Sequence, residues 1–277
     1  MEIFSPNKIN RQTSRLIYAW LFFAVSTLIF AGIFAFLLAI SRTPFVQGIL
    51  PVKDYLHTAL VTHVVLSVVI WFLAFEGVLW ILTGTIFSKG DLFSIPLSWI
   101  GFCLSSGGTI IIIISGIRAW GEPLLANYIP VLTHPAFYTG LIMFASGIFL
   151  TIINSLLSIY KNLTNNRNES RSFITFIMGL TGLVVLIAFS CFILAHLFLP
   201  SDLNINTYFE KLFWGGGHIL QFSNTFGMIC AWILLSQIIL NKSPMPDRPA
   251  KLFLLISFGF TIPAPLFYFQ QAESYPC

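Results

Sequence analysis

Leu212-Phe-Trp-Gly-Gly-Gly-His-Ile-Leu-Gln-Phe222 opens an apolar segment that continues to about residue 240. Its three glycines remove side chains where His218 enters a helix of membrane-crossing length, so another group can approach the backbone there. A buried histidine beside such a gap is a candidate metal ligand, because histidine is the commonest metal ligand in proteins. The alternative is that residues 215–217 form a loop and the helix start, while His218 makes an ordinary interhelical hydrogen bond.

The composition around this segment is that of an integral membrane protein. Hydrophobic residues make up 57% of the 277, charged residues only 9%, and phenylalanine occurs 29 times, which excludes an ordinary soluble domain. A helix needs about 20 apolar residues to cross a bilayer. We therefore predict an all-α, polytopic transmembrane bundle that forms one domain over residues 1–277. Its seven predicted spans lie near 16–40, 56–87, 94–116, 129–157, 173–199, 212–240 and 250–269.

The distribution of basic residues predicts the orientation, because cytoplasmic loops carry an excess of lysine and arginine. Ten of these residues fall on one side of the predicted spans: Lys8, Arg11, Arg15, Lys89, Lys161, Arg167, Arg171, Lys242, Arg248 and Lys251. The other four, on the opposite side, are Arg42, Lys53, Arg118 and Lys211. The N-terminus is therefore expected in the cytoplasm. The net charge of +4 therefore bears on how the chain is oriented in the membrane, where lipid is its expected partner. No nucleic-acid partner is expected.

The second span carries two histidines near its outer end. His63 lies six residues after His57, about 10 Å deeper at the helical rise of 1.5 Å per residue. The two side chains point to different faces of the helix, so they are not expected to bind one metal together. His63 is the better buried ligand, and His57 is expected at the interface.

Glu76 lies in the inner half of the same span. An ionisable residue inside a membrane span is costly and is a candidate functional group, here a protonatable relay. A neutral glutamic acid hydrogen-bonded to a neighbouring helix is an equally good interpretation. The sequence alone does not choose between them.

The remaining histidines also fall toward the outer side. His134 precedes Pro135 at the start of the fourth span, where a cap or interface role is expected, and His196 lies near the end of the fifth. All five histidines thus collect in one leaflet, which suggests an outer-side site. No catalytic residue is assigned. The four cysteines show no paired spacing, so neither a disulfide nor a zinc site is predicted.

A second group of small residues favours close helix packing. Ser105-Ser-Gly-Gly-Thr109 lies in the third span. Small side chains let two helix backbones approach each other in a membrane bundle. We expect a neighbouring helix to pack closely there.

A histidine near the outer end of the second helix, followed by Trp214-Gly-Gly-Gly-His218 in the sixth, resembles subunit I of the haem–copper oxidases. The phrases Trp71-Phe-Leu-Ala-Phe75 and His134-Pro-Ala-Phe-Tyr-Thr-Gly140 resemble a divergent bacterial group described as cytochrome c oxidase subunit I-like. The resemblance covers the first six helices, the N-terminal half of that family. It implies that His63 is an axial ligand of a low-spin haem and that His218 is a copper ligand.

The chain also departs from the family pattern. No histidine follows His218, whereas the family places further copper and haem ligands in later helices. Phe222 stands where many members have a tyrosine, which is more like the cbb-type oxidases and the nitric oxide reductases. A complete site would need a second chain or other oxidase subunits to supply the missing histidines. A split subunit, a shortened copy and a relative without oxygen chemistry all remain open.

The resemblance implies a respiratory terminal oxidase component in the bacterial inner membrane, with haem and copper as cofactors. Electrons would come from a c-type cytochrome or a similar donor on the outer side and pass to dioxygen. The alternatives are a nitric oxide reductase-like subunit and a non-catalytic membrane scaffold or degenerate remnant. A transporter is less favoured because the seventh span, with its two prolines, has no internal repeat partner.

Overall fold

The computed structural model describes residues 10–43, 52–165, 172–240, 242 and 244–269. Within these ranges, seven helical segments are long and apolar enough to cross a membrane, as predicted. They are α1 (Arg11–Ser41), α2 (Val52–Val64, Val65–Ile70, Trp71–Leu82 and Thr83–Phe87 in succession), α3 (Ile95–Ile117), α4 (Pro135–Asn165), α5 (Phe173–Phe198), α6 (Ile205–Leu240) and a seventh segment, Asp247–Phe269. The seventh segment contains α7 (Asp247–Gly259) and a 3₁₀ turn at Ala264–Phe269. The all-α class is confirmed.

The helices alternate in direction. Trp20 packs on Gly77 and Ala31 meets His63, so α1 and α2 are antiparallel. Gly216 lies against Phe192, which makes α5 and α6 antiparallel as well. The helices α2, α4 and α6 begin at one end of the bundle, where α1, α3 and α5 finish. We call this the histidine end.

The interface between α3 and α4 is closely packed, as the small-residue stretch predicts. A Cβ atom added to Gly140 would lie 2.8 Å from the Gly108 carbonyl oxygen, and one added to Gly101 would lie 2.9 Å from the Gly147 carbonyl oxygen. The buried Ser105 hydroxyl donates to the Phe144 carbonyl at 3.3 Å. The two backbones therefore touch along most of the helix pair, as expected for small residues in apolar bundles.

Helix α2 is not a regular α-helix. Two π-helical stretches, Val65–Ile70 and Thr83–Phe87, interrupt it. Such stretches are rare and occur often at functional sites. The first begins two residues after His63, and the second begins seven residues after Glu76.

Three predicted spans begin five to seven residues away from their helices, and the first of them was predicted from residue 16 although α1 begins at Arg11. The fourth was predicted from residue 129, but α4 begins at Pro135 because Val131–Leu132 forms a short antiparallel pair with Pro123–Leu124. The sixth was predicted from residue 212, but α6 begins at Ile205, where Asn204 Oδ1 accepts a hydrogen bond from the Thr207 amide at 2.9 Å. Residues 215–217 thus lie inside α6, and the alternative interpretation of a loop and helix start at these glycines is wrong.

Much of the bundle surface is apolar. Large hydrophobic side chains are exposed on the outer faces of several helices: Tyr18, Phe22, Ile29 and Phe36 on α1; Trp232 and Ile239 on α6; Phe253 on α7. Lys8, Arg167 and Arg171, which entered the charge count, lie outside the described residues, as does Cys277.

Candidate functional site

The ring of His63 is oriented by helix α1. Its Nδ1 atom lies 2.9 Å from the Ala31 carbonyl oxygen. A carbonyl only accepts hydrogen bonds, so Nδ1 carries a proton and donates it, and Nε2 is the nitrogen that is left for another partner. Metal-ligating histidines commonly donate their other ring N–H in this way. The hydrogen bond to Ala31 thus leaves Nε2 of the half-buried His63 as the nitrogen that could bind a metal.

Both ring nitrogens of His218 are engaged. Nδ1 lies 2.7 Å from the Trp214 carbonyl oxygen one turn earlier, so it donates there. Nε2 then accepts from the Tyr128 hydroxyl at 2.5 Å. The Trp214 and Tyr128 rings each have centroids 4.4 Å from the imidazole centroid. A metal at Nε2 would require Tyr128 to move away, so His218 as placed does not fit a copper ligand.

The three glycines before His218 each receive an aromatic side chain from a different element. Tyr268 from the 3₁₀ turn lies against Gly215, Phe192 from α5 against Gly216, and Tyr128 from the α3–α4 connection against Gly217. A Cβ atom on Gly217 would lie 2.5 Å from Tyr128 Cβ. The expectation that another group approaches the backbone here is confirmed, and the approaching groups are rings.

Tyr128 is held in place by its own loop. Its backbone has φ +68°, a left-handed conformation uncommon outside glycine. Its neighbour Asn127 donates to Glu210 on α6 through the backbone amide at 2.8 Å and also through the side-chain amide. The α3–α4 connection is thereby fixed to α6 at Glu210 as well as through the contact of Tyr128 with His218.

The other three histidines occupy the surface of the histidine end. His134 stacks on Trp120, and its Nδ1 accepts from the Ala136 amide at 3.2 Å, which agrees with the predicted cap role. His196 is exposed, and its Nδ1 pairs with the Tyr208 hydroxyl at 2.7 Å beside a shallow pocket. His57 is exposed, as expected for an interface position. These side chains are dispersed and form no common ligand set in the described structure.

Glu76 is buried between α2 and α6. Its Oε2 accepts from the buried Ser223 hydroxyl at 2.7 Å, and Oε1 has no hydrogen-bond partner among the described residues. Gly227 faces it, since a Cβ there would lie 3.1 Å from Oε1. A hydrogen bond to a neighbouring helix was one of the two interpretations of Glu76, and the partnerless Oε1 leaves the relay interpretation open as well.

The sequence analysis did not identify the hydrogen-bond partners of His218 and Glu76. Nothing in the loop sequence marks Tyr128 as the partner of His218. Ser223 and Gly227 gave a weak signal, because two small residues four apart share one helix face and suggest that another helix approaches there.

The described residues contain no group of three or more His, Cys, Asp or Glu side chains that could hold a metal ion. A copper centre would therefore need ligands from elsewhere. An axial haem ligand is a single side chain and needs no such cluster. The haem prediction for His63 therefore does not depend on further ligands in the described residues, whereas the copper prediction for His218 does.

Comparisons with known proteins bear on the extent of the chain. No protein-family model matches, and no solved structure matches significantly. An uncharacterized protein of Aquifex aeolicus is 33% identical over 222 residues, covering 78% of this chain and 52% of the relative. An uncharacterized protein of Rickettsia prowazekii is 28% identical over 287 residues, covering 93% of this chain and 53% of the relative. The chain thus spans about half the length of the curated relatives it matches.

Proposed function

We propose that this chain is a subunit I-like component of a respiratory haem–copper oxidase that crosses the bacterial inner membrane seven times, with a cytoplasmic N-terminus. The exposed apolar faces of α1, α6 and α7 support insertion, because a soluble bundle would cover them with polar side chains. The excess of basic residues on one side of the spans supports the orientation. Both relatives come from bacteria.

The ring geometry of His63 is the observation that carries the redox proposal. The Ala31 carbonyl fixes the tautomer and directs the basic Nε2 atom away from α1. A haem iron bound at Nε2 would supply one-electron chemistry on the way to dioxygen. The chain itself orients the ligand and surrounds it with an apolar medium. Electrons would enter from a c-type cytochrome or a similar donor at the histidine end.

The remaining parts of the oxidase site would come from elsewhere. A second chain or other oxidase subunits would supply the second axial ligand and further copper ligands. Both relatives are longer than this chain, since matches over 78% and 93% of it cover 52% and 53% of them. His218 would join a copper site only after releasing Tyr128. Glu76 is the candidate proton relay, because it is the buried carboxyl of α2.

A non-catalytic scaffold is the second candidate function. It is favoured by the engagement of both nitrogens of His218, since a structural histidine is satisfied in this way. A nitric oxide reductase-like subunit, suggested by Phe222, would share the His63 haem and differ only in the acceptor.

The test is a reduced-minus-oxidised optical spectrum, with metal analysis, of the protein purified gently from its native membrane together with its copurifying partners. We expect a low-spin haem band that is lost in His63→Ala and kept in His57→Ala, which removes an exposed histidine from the same helix. A folded protein without haem, or a band that survives His63→Ala, contradicts the redox proposal and leaves the scaffold.

A further inference from the structure

Four buried side-chain atoms lack hydrogen-bond partners among the described residues. They are Trp20 Nε1, Glu76 Oε1, Trp80 Nε1 and Thr83 Oγ1. Leaving such an atom unpaired costs free energy, so each calls for an explanation such as an ordered water. Three of the four belong to α2, and Trp20 packs on Gly77 of the same helix. The unsatisfied polar groups are thus concentrated along one stretch of one helix.

The three α2 residues share a face. Glu76, Trp80 and Thr83 are spaced four and three residues apart, which places them in a row over about 10 Å. Each is no more than 1% exposed. The row faces α5 and α6 at glycines: Gly227 lies against Glu76, and a Cβ on Gly182 would lie 3.6 Å from Trp80 Nε1. The glycine backbones of the facing helices thus approach the row closely, and no described side chain there gives Glu76 Oε1, Trp80 Nε1 or Thr83 Oγ1 a partner.

The hydroxyl of Thr83 behaves unlike those of other threonines in the bundle. A helical threonine ordinarily donates to the carbonyl four residues earlier. Seven described threonines do so: Thr27, Thr62, Thr85, Thr109, Thr151, Thr181 and Thr225. Thr83, two residues before Thr85 in the same π-helical stretch, does not. Its hydroxyl remains available to a different partner.

Beyond Thr83 the polar groups continue to the end of the bundle opposite the histidines. The buried Asn162 donates to the Gly84 carbonyl at 3.0 Å and to the Ser88 hydroxyl at 2.9 Å. The Asp91 carbonyl accepts from the same amide at 3.2 Å. These groups begin at Gly84, the residue after Thr83, and reach the α2–α3 connection.

We propose that water molecules occupy the face of α2 from Thr83 to Glu76, and that Glu76 exchanges its proton through them with the end opposite the histidines. This deepens the proposed relay role of Glu76 and rests on it. In each step a proton leaves Glu76 Oε1 for the adjacent water while that water passes one of its own protons to the next group, so one O–H bond breaks for each one that forms. Trp80 Nε1–H only donates, so it anchors a water, whereas the Thr83 hydroxyl both donates and accepts and can pass a proton on.

Two further groups adjoin Glu76. Ser223 on α6 donates to Oε2, which leaves Oε1 as the exchanging oxygen. Cys230, also on α6, is a buried titratable side chain about one helical turn after Gly227, which faces Glu76. A Cys230→Ser variant therefore belongs with the test, to show that the thiol is not the exchanging group.

The experiment uses the full chain in lipid nanodiscs and infrared spectroscopy. The carboxyl C=O band of Glu76 is identified by its loss in Glu76→Gln. After a change from H₂O to D₂O, the rate of its isotope shift measures proton exchange. We expect Thr83→Val to slow this rate about tenfold or more, because loss of the hydroxyl interrupts the hydrogen-bonded chain of water molecules. Thr83→Ser, which keeps the hydroxyl, should restore the rate.

Thr85→Val is the matched control. Thr85 is buried in the same π-helical stretch, but its hydroxyl donates to the Ile81 carbonyl at 2.7 Å, so its removal should leave the exchange rate unchanged. Three results overturn the proposal: equal rates in Thr83→Val and the wild type, equal slowing by Thr85→Val, or no exchangeable Glu76 band between about pH 5 and about pH 9. Because the His63 haem band is read on the same samples, either proposal can fail while the other stands.

Discussion

The interface between α3 and α4 and the face of α2 toward α5 and α6 are both lined with small and polar residues, but they satisfy their polar groups differently. In the first, the Asn154 side chain accepts from the Ser94 amide at 3.0 Å and donates to the Ser94 carbonyl and the Ser98 hydroxyl. In the second, Glu76 has one bonded oxygen, while Trp80 Nε1 and Thr83 Oγ1 have no partners in the described structure.

This difference separates packing from function. Where glycine and asparagine close an interface with every group paired, the polar residues hold two helices together. Where glycines face the polar atoms of α2, the helices also approach closely, but three of those atoms have no partner among the described residues. Helix α2 carries that second arrangement, together with His63 and both π-helical stretches, so we infer that it is the functional helix of the bundle.

The largest effect on the free energy of unfolding is expected from a bulky side chain placed in the interface between α3 and α4. A Cβ on Gly147 would lie 2.6 Å from the Ser105 backbone nitrogen, so Gly147→Leu must force α3 and α4 apart. We expect a loss of about 3 kcal/mol or more in the free energy of unfolding, measured by denaturant titration in mixed micelles. Gly179→Leu, at a helical position with nothing within 4 Å, is the control and should change stability by less than about 0.5 kcal/mol. Equal losses would mean that α3 and α4 are not closely packed.

A smaller effect distinguishes paired from unpaired polar groups. Asn154→Ala leaves the Ser94 amide and Ser98 without their partner and should cost about 1–3 kcal/mol. Thr83→Val removes a hydroxyl that bonds no described residue and should change stability by less than about 1 kcal/mol. The same titration measures both variants. If Thr83→Val costs as much as Asn154→Ala, the Thr83 hydroxyl has a protein partner, and the contrast between the two regions is lost.

The seven spans could be predicted from sequence because apolar runs of membrane length are a strong signal. Their boundaries could not. Helix α6 begins with Ile205 and then passes through Asn206, Thr207, Glu210 and Lys211, polar residues that a hydropathy run excludes, although Asn204 caps the helix there. The start of α4 was displaced by a two-residue strand pair that has no hydropathy signal.

The candidate site shows the same division. His63 and Glu76 could be singled out because histidine and glutamate are rare in apolar spans. The tautomer of His63 depends on the Ala31 carbonyl, and the engagement of His218 depends on Tyr128, 90 residues away in the sequence. The Thr83 hydroxyl bonds to no described residue, unlike the hydroxyls of most other helical threonines, and this difference depends on its side-chain rotamer. None of these contacts follows from local sequence.

The most direct test of the central claim, that His63 ligates a haem iron, replaces the ligand atom itself. In His63→Met a thioether would take the place of the imidazole, and thioether ligation raises haem reduction potentials. The measurement is a redox titration of the haem band in the protein purified from its native membrane, with His57→Met as the matched control. We predict a raised midpoint potential or loss of the band in His63→Met and no change in His57→Met. An unchanged band and potential in His63→Met would contradict the account.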